Sequence, residues 1–133
     1  MKKLEVVAGI IMYKDLILCM QRDRGKFDYV SYKYEFPGGK IEPGETRSEA
    51  LMRELNEEMA LAVAINEDDY FMTVNHIYPD FEITMHSFIC KVANQQFIRK
   101  EHIDHKWLTK EELMQLDWAA ADIPIVKRLE EII

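Results

Sequence analysis

The segment that decides the fold runs from Glu35 to Ala60 and has the sequence EFPGGKIEPGETRSEALMRELNEEMA. Its first half contains glycines and prolines that bend a chain, and its second half is rich in helix-forming glutamate and leucine. Thr46 and Glu49 have the T-x-x-E spacing of a capping box, which predicts that a helix begins directly after Thr46. A bent loop followed by an acidic helix therefore occupies this part of the chain.

The predicted helix has one apolar stripe, because Leu51, Leu55 and Met59 recur at every fourth position. Two apolar runs precede it, Leu4 to Tyr13 and Leu16 to Gln21, and they predict the two strands of a hairpin. Two polar or glycine-rich stretches between the hairpin and the helix are expected to be loops: Arg22 to Tyr32 and Pro37 to Gly44.

The second half of the chain mixes strand and helix patterns. Strands are predicted at Tyr70 to Ile77 and at Ile83 to Val92, joined by the turn YPDFE, and a short strand is expected at His105 to Leu108. Two helices are expected: Thr109 to about Leu116, which opens with a second capping box, and Ile123 to Glu131. Hairpins and crossovers together predict a single α/β domain over residues 1–133, with a mixed sheet flanked by helices.

The composition argues against two classes of partner. The 133 residues are 48% apolar, which is enough for a core, and 24 acidic against 17 basic residues give a net charge of -7. Nucleic-acid and anionic-membrane binders need a basic surface, so neither partner is expected. A small anionic ligand held by local cations or by a bound metal is compatible with this charge.

The two cysteines and the N-terminus favour a cytoplasmic protein. Cys19 and Cys90 lie within apolar runs, so each is expected to be a small buried residue of a strand rather than part of a disulfide framework. The first residues, MKKLEVVAGIIMYKD, look like a signal peptide at a glance, but Glu5 interrupts the run and no cleavage site follows. A strand is the preferred interpretation, and no apolar run is long enough to span a bilayer.

Three carboxylates cluster on the predicted helix. Glu54, Glu57 and Glu58 are related as i, i+3 and i+4, so their Cβ atoms lie within about 6 Å of each other on one face. Clustered carboxylates suit a hard cation such as Mg²⁺ or Mn²⁺, which would remove their repulsion and bridge to phosphate oxygens. The alternative is a solvated acidic face paired with Arg53 and Arg47, and spacing alone does not separate the two.

A longer sequence pattern around these glutamates favours the metal site over the solvated acidic face. It is built from Gly39, Glu45, Arg53, Glu54, Leu55, Glu57, Glu58 and Leu61. This spacing resembles the Nudix box, the signature of hydrolases that cleave nucleoside diphosphates linked to another group. Ala60 stands where the family has glycine. That glycine is expected to be a left-handed helix C-cap, where alanine costs about 1 kcal/mol of stability without changing the chemistry.

The resemblance covers nearly the whole chain. Three segments resemble the MutT-type nucleoside triphosphate pyrophosphohydrolases, and especially the CTP pyrophosphohydrolase branch: MKKLEVVAGII, EFPGGKIEPGET and AADIPIVKRL. The resemblance implies an α/β/α sandwich and a Mg²⁺-dependent enzyme, in which Mn²⁺ can substitute. It also implies attack of water on the β-phosphorus of a small nucleotide, with release of a nucleoside monophosphate and pyrophosphate. A monomer or a homodimer is expected.

The same resemblance assigns the metal site. The ligands would be the backbone carbonyl of Gly38 and the side chains of Glu54, Glu57 and Glu58. Arg53 would orient these carboxylates through charge-assisted hydrogen bonds. Glu101 falls where the family has a loop glutamate for metal binding or general-base chemistry, and its alternative is an ordinary solvated residue.

Three further residues are candidates for binding the substrate. Arg22 matches a substrate-contacting arginine, unless it is a surface charge at a strand end. Tyr78 falls where the family has an aromatic residue near the base, unless it only packs in the hairpin. Asp122 falls where the family has a residue that recognises the base edge, and a helix N-cap is its alternative because Pro124 marks a helix start. An ionised Asp122 would accept from the cytosine amine, and a protonated one could donate to an oxidised purine.

The resulting hypothesis is hydrolysis of CTP, dCTP or modified pyrimidine nucleotides. Sanitation of 8-oxo-dGTP is the close alternative. A module that binds nucleotides without cutting them is a different class, but such modules usually lose box carboxylates, and all of them are present here. No role is assigned to the 4 histidines, since none has metal-ligand spacing to a partner.

Overall fold

The computed structural model describes residues 1–132. Its strands are β1 (Lys2–Tyr13), β2 (Leu16–Gln21), β3 (Tyr34–Glu35), β4 (Gly38–Lys40), β5 (Tyr70–Ile77), β6 (Phe81–Lys91) and β7 (Asp104–Leu108). Its α-helices are α1 (Arg47–Met59) and α2 (Ile123–Glu131), and its short 3-10 helices are Glu67–Asp69, Lys110–Gln115 and Ala120–Asp122. Along residues 1–132, neither α-helix has the length and apolar composition needed to cross a bilayer.

The strands form one mixed sheet in the order β3-β2-β1-β6-β5. β1 pairs parallel with β6 over its whole length and antiparallel with β2 and β4, while β7 pairs antiparallel with β2. The predicted mixed α/β fold is therefore confirmed. β1 is the strand that connects the two halves of the sheet, and its register with β4 places the glycine loop beside it.

Alternation along β1 divides the core into two layers. Val7 and Ile11 point to the side where Leu51, Leu55 and Met59 of α1 are fully buried. Each of those three α1 side chains contributes about 2 kcal/mol through burial. The opposite face of β1 packs against the side chains of α2, through Ala8, Ile10, Ile125, Val126 and Leu129. Helices thus cover both faces of the sheet.

Both ends of α1 have the caps that the sequence predicts. The Thr46 hydroxyl accepts from Glu49 N–H at 3.2 Å, and the Glu49 carboxylate accepts from Thr46 N–H at 2.8 Å. At the other end Ala60 has φ 51°, in the left-handed region, and its N–H donates to Asn56 O at 3.0 Å. The capping conformation expected at Ala60 is confirmed, although alanine disfavours it.

Two expectations for local structure need correction. The stretch from Pro37 to Gly44 is not all loop, because Gly38–Lys40 pairs with β1 as β4. Gly38 makes this pairing possible, since a Cβ there would overlap the carbonyl oxygen of Val7. The segment after Thr109 has its predicted capping box but forms a 3-10 helix rather than an α-helix. β4 was not predicted because its three residues are too few to show the alternating pattern of a strand.

The cysteines lie where the sequence places them. Cys19 in β2 and Cys90 in β6 are both buried and both free. Burial raises the pKa of each thiol to about 12, so both are unreactive neutral groups at physiological pH.

Candidate functional site

A cavity of about 870 Å³ opens beside β1, β3, β4 and the loop that follows β2. Its lining includes a group of carboxylates, Glu35, Glu58 and Glu101, and a group of aromatic rings, Phe27, Tyr78 and Phe81. A cavity of this size can hold a small ligand with both an anionic and a planar part. The side chains that line it come from widely separated parts of the chain.

Arg53 organises the acidic face of α1. Its Nε and Nη2 donate to the two carboxylate oxygens of Glu45, at 2.7 and 3.0 Å. Its Nη1 donates to Glu54 at 3.0 Å and to Glu57 at 3.2 Å, and Nη2 also donates to the backbone oxygen of Lys40 at 2.9 Å. The hydrogen bonds from Arg53 lower the pKa of Glu45, and the carboxylates raise the pKa of Arg53 in return. The predicted contact between Arg53 and Glu45 is present and ties α1 to the loop before it.

Glu58 is the most perturbed acid of the cluster. Burial, followed by the charges of Glu54, Glu101 and Glu35, raises its pKa to about 8. Within residues 1–132, Glu58 Oε2 is the one buried side-chain oxygen or nitrogen without a hydrogen-bond partner. Glu54 and Glu35 are paired with Arg53 and Arg22, whereas the buried Oε2 of Glu58 has no partner, so this oxygen is the place in the group where a cation is missing.

Glu57 lies apart from this group. Its side chain is 59% exposed and accepts from Arg53. Glu54 and Glu101 lie near enough to Glu58 to raise its pKa, whereas Glu57 lies at the edge of this group. Across residues 1–132, no three His, Cys, Asp or Glu side chains already converge as a complete metal-binding group.

Tyr78 and Asp122 are buried beside each other at the cavity wall. The Tyr78 hydroxyl accepts from Ala121 N–H at 2.9 Å, and its ring stacks on Tyr29 with centroids 5.3 Å apart. Asp122 is 4% exposed, and its Oδ1 accepts from Phe36 N–H at 3.0 Å. Asp122 occupies the N-cap position of α2 but makes no capping hydrogen bond with its side chain.

Burial raises the pKa of Asp122 well above its usual range, with a further contribution from the negative charge of Glu35. The neutral form of Asp122 is therefore more favoured than it is in an exposed aspartate. Because Oδ1 accepts from Phe36 N–H, the proton of a neutral Asp122 belongs on Oδ2. In this form Asp122 offers a hydrogen-bond donor rather than the pure acceptor that an ionised carboxylate would be.

The family model for the NUDIX domain matches residues 3–129. The chain belongs to the Nudix family. The protein is therefore a Nudix hydrolase with pyrophosphohydrolase activity. Nudix hydrolases generally need a divalent metal ion, usually Mg²⁺.

Two relatives from Escherichia coli (strain K12) have different specific names. The chain is 34% identical to the CTP pyrophosphohydrolase over 127 residues, which covers 96% of this chain and 91% of that one. It is 30% identical to the 8-oxo-dGTP diphosphatase over 132 residues, which covers 99% of this chain and 100% of that one. The solution structure of the E. coli ORF135 protein superposes with a TM-score of 0.80 at 33% identity, covering 96% of this chain and 88% of that chain.

The residues of this Nudix chain fit a divalent cation. The unpaired Oε2 of buried Glu58 is an available oxygen donor, and its carboxylate neighbours supply more. Gly39 makes room for Glu54, because a Cβ at Gly39 would overlap the Glu54 carboxylate. An oxygen-rich, negatively charged group of this kind selects hard cations over soft ones.

Two residues of the site were missed in the sequence. Glu35 accepts from Arg22 Nη1 at 3.2 Å and lies 2.9 Å, oxygen to nitrogen, from His102 Nε2. Arg22 is thus held at the cavity rather than left as a free surface charge. Glu35 could have been suspected because it begins the segment EFPGG, but β3 has only two residues and no alternation. His102 gives no spacing signal, since its partner is 67 positions away.

Proposed function

We propose that this Nudix hydrolase is a Mg²⁺-dependent nucleoside triphosphate pyrophosphohydrolase, with CTP, dCTP or modified pyrimidine nucleotides as substrates. The observation that carries the proposal is one cavity lined by both the Glu58 carboxylate cluster and the Tyr78–Asp122 pair. The cluster suits a metal-bound polyphosphate, and the pair suits a planar base. The products would be a nucleoside monophosphate and pyrophosphate.

The metal would be held by five groups: the carbonyl of Gly38 and the side chains of Glu54, Glu57, Glu58 and Glu101. Bound there, Mg²⁺, or Mn²⁺ in its place, would supply charge neutralisation on the phosphates and a lowered pKa for water. Glu57 would contribute after release from Arg53, to which it is hydrogen-bonded in this structure.

The side chains of the protein would perform the remaining tasks. Arg53 holds Glu54 and Glu45 in fixed orientations, so the carboxylates do not need to reorganise when substrate enters. Arg22 lines the cavity as a cation and would contact substrate oxygens. Tyr78 lines the cavity as part of an aromatic group with Tyr29 and Phe81, and this group would contact the base.

Sanitation of 8-oxo-dGTP is the second candidate, and a specific observation favours it. Burial raises the pKa of Asp122, which favours its neutral form, and a neutral acid can donate to the O6 acceptor of an oxidised purine. N3 of cytosine could also accept a hydrogen bond from this carboxylic acid, whereas the cytosine amine is a donor and would need an acceptor. The two E. coli relatives named for these two activities are similarly related to this chain, so the choice depends on measurement.

A substrate panel tests the proposal. Purified protein with Mg²⁺ is given the common NTPs and dNTPs, 5-methyl-dCTP, 8-oxo-dGTP and ADP-ribose, and the release of pyrophosphate and monophosphate is followed. Preference for cytosine triphosphates with pyrophosphate release supports the first candidate, and preference for 8-oxo-dGTP supports the second. Tight nucleotide binding without release would instead support a non-catalytic binding module.

A Glu57→Gln variant tests the assignment of the metal site. It removes one carboxylate charge without changing side-chain size, so loss of turnover with retained folding supports the metal assignment. Undiminished turnover in Glu57→Gln would show that Glu57 is not a metal ligand, and undiminished turnover in Glu58→Gln as well would show that the carboxylates of α1 are not the metal site.

A further inference from the structure

The loop between β6 and β7, residues 92–103, carries Glu101, and its first half is held by Val92 and Phe97, which pack against the core on the α1 side of the sheet. Ile98 N–H donates to Met59 O at 2.9 Å, and Ile103 N–H donates to Gln21 O at 3.0 Å. Between these two backbone bonds, Lys100 Nζ reaches Glu57 O at 3.3 Å. Glu101 itself is exposed and lines the cavity. Its position near Glu58 must therefore be set by its neighbours in the loop.

His102 connects this loop to β3 through its side chain. Its side chain is 8% exposed, and its Nε2 lies 2.9 Å from Glu35 Oε2. Glu101 and His102 both line the cavity, but Glu101 is exposed whereas the His102 side chain contacts Glu35 of β3. Fixing the ring of His102 restricts the backbone that carries Glu101.

Glu35 is a rigid partner for this contact. Its Oε1 accepts from Arg22 Nη1 at 3.2 Å, so both carboxylate oxygens are engaged. Glu35 pairs with Met20 of β2, and the next residue, Phe36, is fixed by the bond from its N–H to Asp122. One short strand therefore joins the residues proposed for base recognition to the loop that holds Glu101.

We propose that His102 is a positioning residue that holds Glu101 at the Glu58 carboxylate cluster through its bond to Glu35. This inference rests on the proposed function, because Glu101 matters only if the cluster binds metal and substrate. The role proposed for His102 is exerted through Glu101 rather than through contact with the substrate or the metal. His102 reduces the freedom of a loop that would otherwise place Glu101 in several positions, and small misplacements of a catalytic group are costly.

Three variants test the inference. His102→Gln keeps an N–H donor at about the position of Nε2, whereas His102→Asn is too short to reach Glu35 and mimics Nδ1 instead. His105→Gln is the matched control, since His105 lies on the adjacent strand, contacts Arg99 and does not contact Glu35. Each is measured for kcat and KM, for the dissociation constant of Mn²⁺ alone, and for hydrogen exchange of the backbone amides of residues 99–103.

His102→Asn is expected to lower kcat about 10- to 100-fold with KM changed less than about threefold, because the loss lies in placing Glu101. Its Mn²⁺ binding should weaken and exchange in residues 99–103 should accelerate, while His102→Gln restores most of each property. His105→Gln should match the wild type in kcat, KM and Mn²⁺ affinity, and any change in its exchange should be confined to the neighbourhood of Arg99, which it contacts. Equal kcat and Mn²⁺ affinity in His102→Asn and wild type would overturn the inference. Equal losses of kcat in His102→Asn and His102→Gln, with unchanged hydrogen exchange in residues 99–103, would also overturn it.

Failure of the proposed function has a different signature. If Glu57→Gln and Glu58→Gln both keep full turnover and full Mn²⁺ affinity, the metal site itself is wrong whatever the His102 variants do. If Glu57→Gln loses both while His102→Asn loses neither, the proposed function stands and only the positioning role of His102 fails.

Discussion

The guanidinium of Arg53 donates two hydrogen bonds to the carboxylate of Glu45, Nε to Oε2 at 2.7 Å and Nη2 to Oε1 at 3.0 Å. This pair connects the middle of α1 to the loop before it, eight positions earlier in the chain. The third nitrogen, Nη1, is then free to donate to Glu54 and Glu57. One planar side chain thus fixes the directions of three carboxylates.

Arg53→Lys is expected to lower kcat/KM about 10- to 100-fold while the protein still folds. Lysine keeps the positive charge but cannot make the two parallel bonds to Glu45 and reach Glu54 at the same time. Steady-state kinetics and a thermal melt measure the two effects separately. A kcat/KM within twofold of the wild type would mean that charge alone, and not the planar geometry, is what the carboxylates need.

Gly39→Ala is expected to reduce activity strongly, because the new Cβ would overlap the Glu54 carboxylate and displace it. Gly44→Ala is the matched control in the same loop. It has no atom within 4 Å of its added Cβ, and its φ of 86° costs about 1 kcal/mol of stability in alanine without touching the site. Kinetics and melting curves of both variants should show loss of turnover only for Gly39→Ala, and an equal loss in both would contradict the steric explanation.

Asp122 makes stability depend on pH. Its pKa in the folded protein is well above the ordinary value of about 4, so between these two values the folded state binds more protons than the unfolded state. The free energy of unfolding therefore falls as pH rises through this window and stays lower above it. The contribution of this acid is least unfavourable at acidic pH, below both values.

Asp122→Asn should flatten this dependence. Asparagine does not titrate, and its Oδ1 can still accept from Phe36 N–H. Urea unfolding at a series of pH values from about 4 to 8 should give a smaller decline for Asp122→Asn than for the wild type. Asp23→Asn, an exposed residue, is the control and should follow the wild type. A decline of equal slope in Asp122→Asn and wild type would show that Asp122 is not the group responsible.

Local signals in the sequence were sufficient for most elements of the fold. The structure confirms the predicted bounds of three elements: Leu16–Gln21, Tyr70–Ile77 and Ile123–Glu131. Each has an apolar pattern long enough to be distinguished from noise, and α1 begins with the two-residue capping signal of Thr46 and Glu49.

Contacts made across long stretches of chain were not visible in the sequence. The bond between Glu35 and His102 spans 67 positions, and that between Phe36 and Asp122 spans 86. Such contacts are set by the order of strands in the sheet, which no local pattern encodes. The acidic residues of the site were found from their spacing and family resemblance, but the partners that hold them in place became apparent only in three dimensions.

The left-handed residue at the end of α1 gives a direct test of backbone strain. Ala60 has φ 51° and ψ 36°, is exposed, and contributes no buried side chain. Ala60→Gly should therefore raise the free energy of unfolding by about 1 kcal/mol, because glycine adopts this conformation without a Cβ penalty. The gain is reduced by the greater freedom of glycine in the unfolded chain.

Ala50→Gly is the matched control for this substitution. Ala50 is fully buried in the interior of the same helix, so glycine there should lower the free energy of unfolding by about 1 kcal/mol or more. Urea unfolding of both variants should give changes of opposite sign, with kcat/KM of Ala60→Gly equal to the wild-type value. If Ala60→Gly is also destabilised, contacts of the alanine methyl group stabilise the cap. The left-handed conformation of Ala60 would then not be what lowers the free energy of unfolding.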